Sequence, residues 1–207
     1  MSNKPEKTID KNLPNKLTMM RIIMVPIFII VLWLPMMTGG AVNDMLAKII
    51  SAVIFIVSAV TDFIDGKLAR KYNLVSNFGK FMDPLADKFL VIGALLAMCL
   101  IYEGAMRICL VISIIITVFR ELAVSSVRLI AKNADGVVIA AAMPGKIKTF
   151  SQCIFVPLCL LEGYLFGWIP VFGGTMILSY ICMAVMVFFT IYSGIQYLKA
   201  YSKYITM

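Results

Sequence analysis

The 207-residue chain contains no histidine. That absence removes imidazole from the possible general bases and excludes a histidine-ligated zinc site. Acidic residues are scarce as well, 11 against 19 lysines and arginines, which leaves a formal charge of +8. Cysteine provides no framework. Cys99, Cys109, Cys153, Cys159 and Cys182 are odd in number and lie inside apolar runs, where they read as small buried hydrophobes rather than disulfide partners or thiolate ligands. Polarity itself is what the chain lacks most. With 61% hydrophobic residues and a mean hydropathy of +0.95, it lies far outside the range of soluble domains and is expected to form one compact all-α membrane bundle. Its basic residues fall between apolar runs rather than on a soluble face. The partners this implies are anionic lipid headgroups and phosphorylated substrates, not nucleic acid.

Against that background four carboxylates stand out in one stretch, DFIDGKLARKYNLVSNFGKFMDPLAD, at Asp62, Asp65, Asp83 and Asp87. On a helix advancing about 100° per residue, Asp62 and Asp65 lie about 60° apart and Asp83 and Asp87 about 40° apart, so each pair faces one way. Two such helices facing each other would gather four acids, which must either take up protons or be neutralised by cations. Oxygen-only ligands of this kind suit Mg²⁺ or Mn²⁺, ions that hold and polarise phosphate oxygens. Gly66 and Ala69 follow Asp65 on the same side, and Gly79 precedes Asp83 by one turn. These small residues leave room for a bulky substrate, while Arg70 and Lys80 add cations for its phosphates.

The apolar runs predict six transmembrane helices. Residues 1–12 read as a polar tail, and residues 13–207 as a single membrane domain that opens with LPNKLTMMR, an amphipathic helix lying in the interface. In that helix Leu13, Leu17 and Met20 would face lipid, and Asn15, Lys16 and Arg21 headgroups. The first span runs from about Ile22 to Met37. Three later runs are too short to cross unaided: Ile49 to Thr61, Phe89 to Tyr102 and Ile108 to Phe119 must carry Asp62 and Asp65, Asp83 and Asp87, and Arg120 and Glu121 with them. Charge brought to a similar depth by three helices marks an internal polar cavity. The fifth span, Thr149 to Leu161, follows Lys146 and Lys148, and the sixth covers Thr175 to Leu198. Between them, Glu162 to Gly174 reads as an interfacial loop with Trp168 at headgroup level, and Glu103 and Glu162 as solvated helix ends. Lys67, Arg70, Lys71, Lys80, Lys88, Lys132, Lys146 and Lys148 share a side with both termini, opposite Lys48 and Arg107. The positive-inside rule then puts the termini and the acidic site on the cytoplasmic face of the cell membrane.

The pattern D-x2-D-G-x2-A-R-x8-G-x3-D-x3-D, carried by Asp62, Asp65, Gly66, Ala69, Arg70, Gly79, Asp83 and Asp87, resembles the signature of the CDP-alcohol phosphatidyltransferases. The resemblance implies that family's membrane fold, usually homodimeric. It also implies its reaction: an alcohol oxygen attacks the β-phosphorus of a CDP-linked lipid such as CDP-diacylglycerol, and CMP leaves. By the same resemblance Asp62, Asp65, Asp83 and Asp87 bind metal, two ions in all, and Asp87 is the general base. Asp65, Gly66, Ala69, Arg70 and Gly79 contact the CDP group. Asn15, Thr18 and Arg21 line the substrate entrance, in a segment similar to that of family members that use glycerol-3-phosphate.

Arg120, Arg128, Lys146 and Lys148 form a second, cationic group. An anionic acceptor would explain it, and FRELAVSSVR and GKIKT are again similar to the glycerol-3-phosphate users. The expectation is transfer of the phosphatidyl group to sn-glycerol-3-phosphate. The plain alternatives are an Arg120–Glu121 structural ion pair and lysines that only anchor the chain. Other acceptors, namely inositol phosphate, serine or phosphatidylglycerol, would preserve the chemistry. A cation transporter would abandon it, but the acids cluster at one face and no inverted repeat is present.

Overall fold

The computed structural model describes residues 13–71, 77–135, 143–169 and 175–202, with the side chains of 13–14, 64–71, 77, 80 and 132–135 outside that description. The described residues form six α-helices: α1 (Leu13–Met37), α2 (Asp44–Lys71), α3 (Asn77–Ile101), α4 (Gly104–Asp135), α5 (Met143–Leu165) and α6 (Ile177–Ala200). Five contain stretches long and apolar enough to cross a membrane, at 15–37, 44–63, 81–101, 104–131 and 177–200. The chain is an integral membrane protein. α5, which carries Lys146, Lys148 and Glu162, is not among the five.

Local chemistry sets several of the breaks. Gly39 and Gly40 take φ of +61° and +88°, a left-handed backbone that other residues enter only with strain, and they turn the chain after α1. Asn43 then caps α2, its Oδ1 accepting from the backbone N–H groups of Met45 (2.9 Å) and Leu46 (3.3 Å). Inside the bundle α1 packs on α2 and α3, α4 on α3 and α6, and α5 on α2 and α6. Val25, Phe28 and Leu32 form the inner stripe of α1 and meet Ala52 and Phe55 of α2 and Ala94, Leu95 and Met98 of α3 in the buried core. The α1–α3 approach is close. A Cβ built on Gly93 would stand 2.8 Å from Val25 Cγ1. Ile23, Ile27, Ile30, Ile115 and Phe119 point outward, an apolar exterior suited to lipid.

Two expectations are corrected. The segment from Leu13 to Arg21 is no separate interfacial helix, because α1 runs unbroken from Leu13 to Met37. Two of its polar residues follow the helix's inner stripe: Thr18 and Arg21 are each only 1% exposed, so Arg21 does not face headgroups. Glu162 is not a solvated end either, being 1% exposed. Its carboxylate accepts from the backbone N–H groups of Leu178 (2.9 Å) and Ser179 (2.7 Å) and from the Ser179 hydroxyl, so it caps α6 from the neighbouring helix. Glu103, by contrast, is exposed. Trp168 is exposed too, and residues 170–174 of the expected interfacial loop lie outside the described residues.

Candidate active site

Three helices bring the acids together around one cation. Thr18 and Arg21 are three residues apart on α1, hence on one face, and both turn inward. Arg21 Nη1 donates to Asp62 Oδ1 on α2, while Nη2 lies 4.0 Å from Asp83 Oδ1 on α3. Thr18 Oγ1 donates to that same Asp83 oxygen at 2.6 Å. The guanidinium is buried, yet the Asp62 and Asp83 side chains remain 39% and 52% exposed. A desolvated guanidinium thus lies between two half-open carboxylates and offsets their mutual repulsion.

Asp87, one turn beyond Asp83, faces a different neighbourhood. It lines a cleft of about 480 Å³ together with Pro84 and Lys88 of α3, Arg120, Glu121, Ser125 and Arg128 of α4, Gly145, Lys148 and Thr149 of α5, and Tyr197 of α6. Lys148 Nζ and Arg120 Nη1 (2.9 Å) both donate to Glu121 Oε1. Lys88 Nζ stands 3.8 Å from Glu121 Oε2 and donates to Ser125 Oγ at 2.6 Å. Among the described residues the cleft thus presents four cationic side chains against two carboxylates, an arrangement that attracts an anion. Asp87 interacts electrostatically with Asp62 on one side and with Lys148 and Glu121 on the other, and so joins the two clusters.

The expected site residues divide accordingly. Asp62, Asp83, Thr18 and Arg21 meet in the first cluster, and Asp87, Arg120, Arg128 and Lys148 in the second. Gly79 is buried in α3. Asp65, Gly66, Ala69 and Arg70 lie on the last turns of α2, but their side chains, like that of Lys80, are outside the described residues. Lys146 is exposed and does not line the cleft, and Asn15 faces an outer apolar groove beside Lys16, Met19 and Met20. Arg120 and Glu121 do form an ion pair, but it lines the cleft instead of sitting apart from it.

Tyr197, Glu121 and Lys88 had not been assigned to the site from sequence. Lys88 had the signal of adjoining Asp87. Glu121 was legible as charge carried with Arg120 towards the polar cavity, or as that arginine's ion-pair partner, but without a role, and Tyr197, on the sixth helix, carried no local signal at all.

The donor chemistry also bears on metal binding. Every candidate ligand is a carboxylate oxygen, and two of them, Asp62 and Asp83, already share a cationic partner in Arg21. Asp62, Asp83 and Asp87, with Asp65 on the same helix as Asp62, therefore fit a hard divalent ion. Among the described residues no three acidic or thiol groups close around a single point.

Comparison with known proteins gives the same direction. A family model described as CDP-alcohol phosphatidyltransferase matches residues 11–193. A CDP-diacylglycerol–glycerol-3-phosphate 3-phosphatidyltransferase of Bacillus subtilis is 40% identical over 190 residues, covering 90% of this chain and 93% of its own. A protein of the same name from Rickettsia felis is 36% identical over 197 residues, 95% of this chain and 98% of its own. A probable phosphatidylglycerophosphate synthase of Mycobacterium tuberculosis is 32% identical over 186 residues, 90% and 79% of the two chains.

Proposed function

The chain belongs to the CDP-alcohol phosphatidyltransferase family, and from that premise we propose that it transfers the phosphatidyl group of CDP-diacylglycerol to sn-glycerol-3-phosphate, giving phosphatidylglycerophosphate and CMP. The observation that carries the acceptor is the cleft in which Asp87 is surrounded by Lys88, Arg120, Arg128 and Lys148. A carboxylate able to take a hydroxyl proton lies beside cations able to hold a phosphate, as one phosphorylated alcohol requires. A neutral acceptor would not need so many cations.

In this reading Arg120, Arg128 and Lys148 bind the acceptor's phosphate and turn its free hydroxyl towards Asp87. The hydroxyl oxygen attacks the β-phosphorus as Asp87 accepts its proton, and the bond from that phosphorus to the CMP oxygen breaks. Glu121 does not touch the reaction. It orients Lys148 and Arg120 by accepting from both. Arg21 and Thr18 hold Asp62 and Asp83 towards the diphosphate. Members of the family use divalent metal ions; here two ions, Mg²⁺ or Mn²⁺, held by Asp62, Asp65, Asp83 and Asp87, would supply charge neutralisation for the diphosphate and the departing CMP. Gly66, Ala69, Arg70 and Gly79 contact the CDP group. The protein works as a homodimer of six-span subunits in the cell membrane, with the site and both termini facing the cytoplasm; the lysine and arginine asymmetry supports that orientation.

The test is CMP release from CDP-diacylglycerol by detergent-purified protein, with glycerol-3-phosphate, inositol phosphate, serine or phosphatidylglycerol supplied separately, with and without Mg²⁺. Metal-dependent release with glycerol-3-phosphate alone is expected. Release with inositol phosphate or phosphatidylglycerol only would overturn glycerol-3-phosphate as the acceptor, and release with serine only would overturn the reading of the cationic cleft as well.

A further inference from the structure

Arg120 and Arg128 are eight residues apart on α4, about 12 Å along the helix axis. To engage one phosphate, their side chains must converge. They do so on a residue of another helix. The Arg120 guanidinium carbon lies 5.6 Å from the centre of the Tyr197 ring and that of Arg128 lies 5.5 Å from it, and Arg128 Nη2 donates to the Tyr197 hydroxyl at 3.4 Å. Two cations brought together repel, but the electron-rich ring and the phenolic oxygen offset that cost. Tyr197 is itself fixed. It is buried and stacks on Tyr201, with ring centres 6.2 Å apart and planes within 9°. One turn earlier, Gly194 makes room for the arginine stem, since a Cβ there would stand 3.1 Å from Arg120 Cγ. α6 thus supplies both a notch for the aliphatic part of Arg120 and an aromatic seat for two guanidinium groups.

We propose that Tyr197, with Gly194, is a positioning residue that sets the spacing of Arg120 and Arg128 and thereby the enzyme's selection of a phosphorylated over a neutral acceptor. This deepens the glycerol-3-phosphate reading and rests on it. The ring lines the cleft beside Lys148 and Asp87, so a phosphate held by the arginines stays within the same enclosure as the proposed base.

The test compares Tyr197→Phe, which keeps the ring and its stacking, with Tyr197→Leu, which keeps only bulk. Steady-state kinetics are read for each substrate, along with inhibition by inorganic phosphate. Tyr197→Leu should raise the KM for glycerol-3-phosphate and the inhibition constant of phosphate about tenfold, whereas Tyr197→Phe should raise both about two- to threefold. In both variants kcat and the KM for CDP-diacylglycerol should stay within about twofold of wild type, and preference for glycerol-3-phosphate over glycerol should narrow. Equal losses in all parameters, or an unmoved acceptor KM in Tyr197→Leu, would overturn the proposal. If the wild-type protein used a different phosphorylated acceptor, the same shift in phosphate inhibition would uphold the arginine seat while the glycerol-3-phosphate reading fell.

Discussion

Two carboxylate environments in this molecule are built in opposite ways. Glu162 is buried and its two oxygens accept three donors, all from the start of α6. Asp62 and Asp83 stand 39% and 52% exposed around one shared cation, with surface left for something else to bind. A carboxylate saturated by its own fold contributes to stability. One that the fold orients but leaves open is available for chemistry. Burial separates the two kinds here, and with it the number of donors that the fold itself brings to each carboxylate.

The strongest test of this contrast is Asp87→Asn, which keeps the shape of the side chain and removes its basicity. CMP release should fall about 10²- to 10⁴-fold while thermal stability in detergent changes little. A loss of folding instead would make Asp87 a structural acid like Glu162. The converse variant, Glu162→Ala, should lower stability by about 2–3 kcal/mol because two backbone N–H groups and a hydroxyl lose their acceptor. Its specific activity per folded molecule should remain near wild type, and a drop in activity without loss of melting temperature would reject the distinction.

The acids were legible in the sequence because charge in an apolar chain is conspicuous, and so were the helices, because short uncharged runs must draw neighbouring charge in with them. Their partners were not. Asp62 and Asp65 announce a shared face by spacing alone, whereas the inward turn of Arg21 depends on α1 continuing without a break through Leu13–Met37. An amphipathic reading of LPNKLTMMR assigned that arginine to headgroups, since local pattern does not reveal what an adjacent helix offers. Glu162 was misread for a similar reason. An acid at the end of an apolar run looks solvated until the N-terminus of α6 is found against it. Tyr197 lies 69 residues beyond the arginine it bonds, so only tertiary structure unites them.

Smaller effects sharpen the comparison further. Arg21→Met removes the shared cation and leaves Asp62 and Asp83 to repel, which should destabilise the metal-free protein by about 1–3 kcal/mol. Added Mg²⁺ should then raise the melting temperature of the variant by more than it raises that of wild type; an equal rise would show that Arg21 is not filling a cation's place. Lys146→Ala should have the least effect. The side chain is exposed and outside the cleft, so the KM for glycerol-3-phosphate should stay within about twofold, whereas Lys148→Ala, which strips a donor from Glu121 and a cation from the cleft, should raise it about tenfold.

The bridge from Arg21 to Asp62 and Asp83 also has a meaning in time. A ribosome makes the chain from its N-terminus, so the helix bearing the cation emerges before either helix bearing the acids. Charged residues resist entry into the apolar part of a bilayer, and a partner of opposite charge lowers that cost. α2 and α3 therefore arrive at a membrane that already contains their counter-charge, and the yield of correctly inserted α2 should fall in nascent chains carrying Arg21→Met. The order of residues along this polypeptide is then also an assembly schedule, in which the counter-ion is installed before the charges it must shelter.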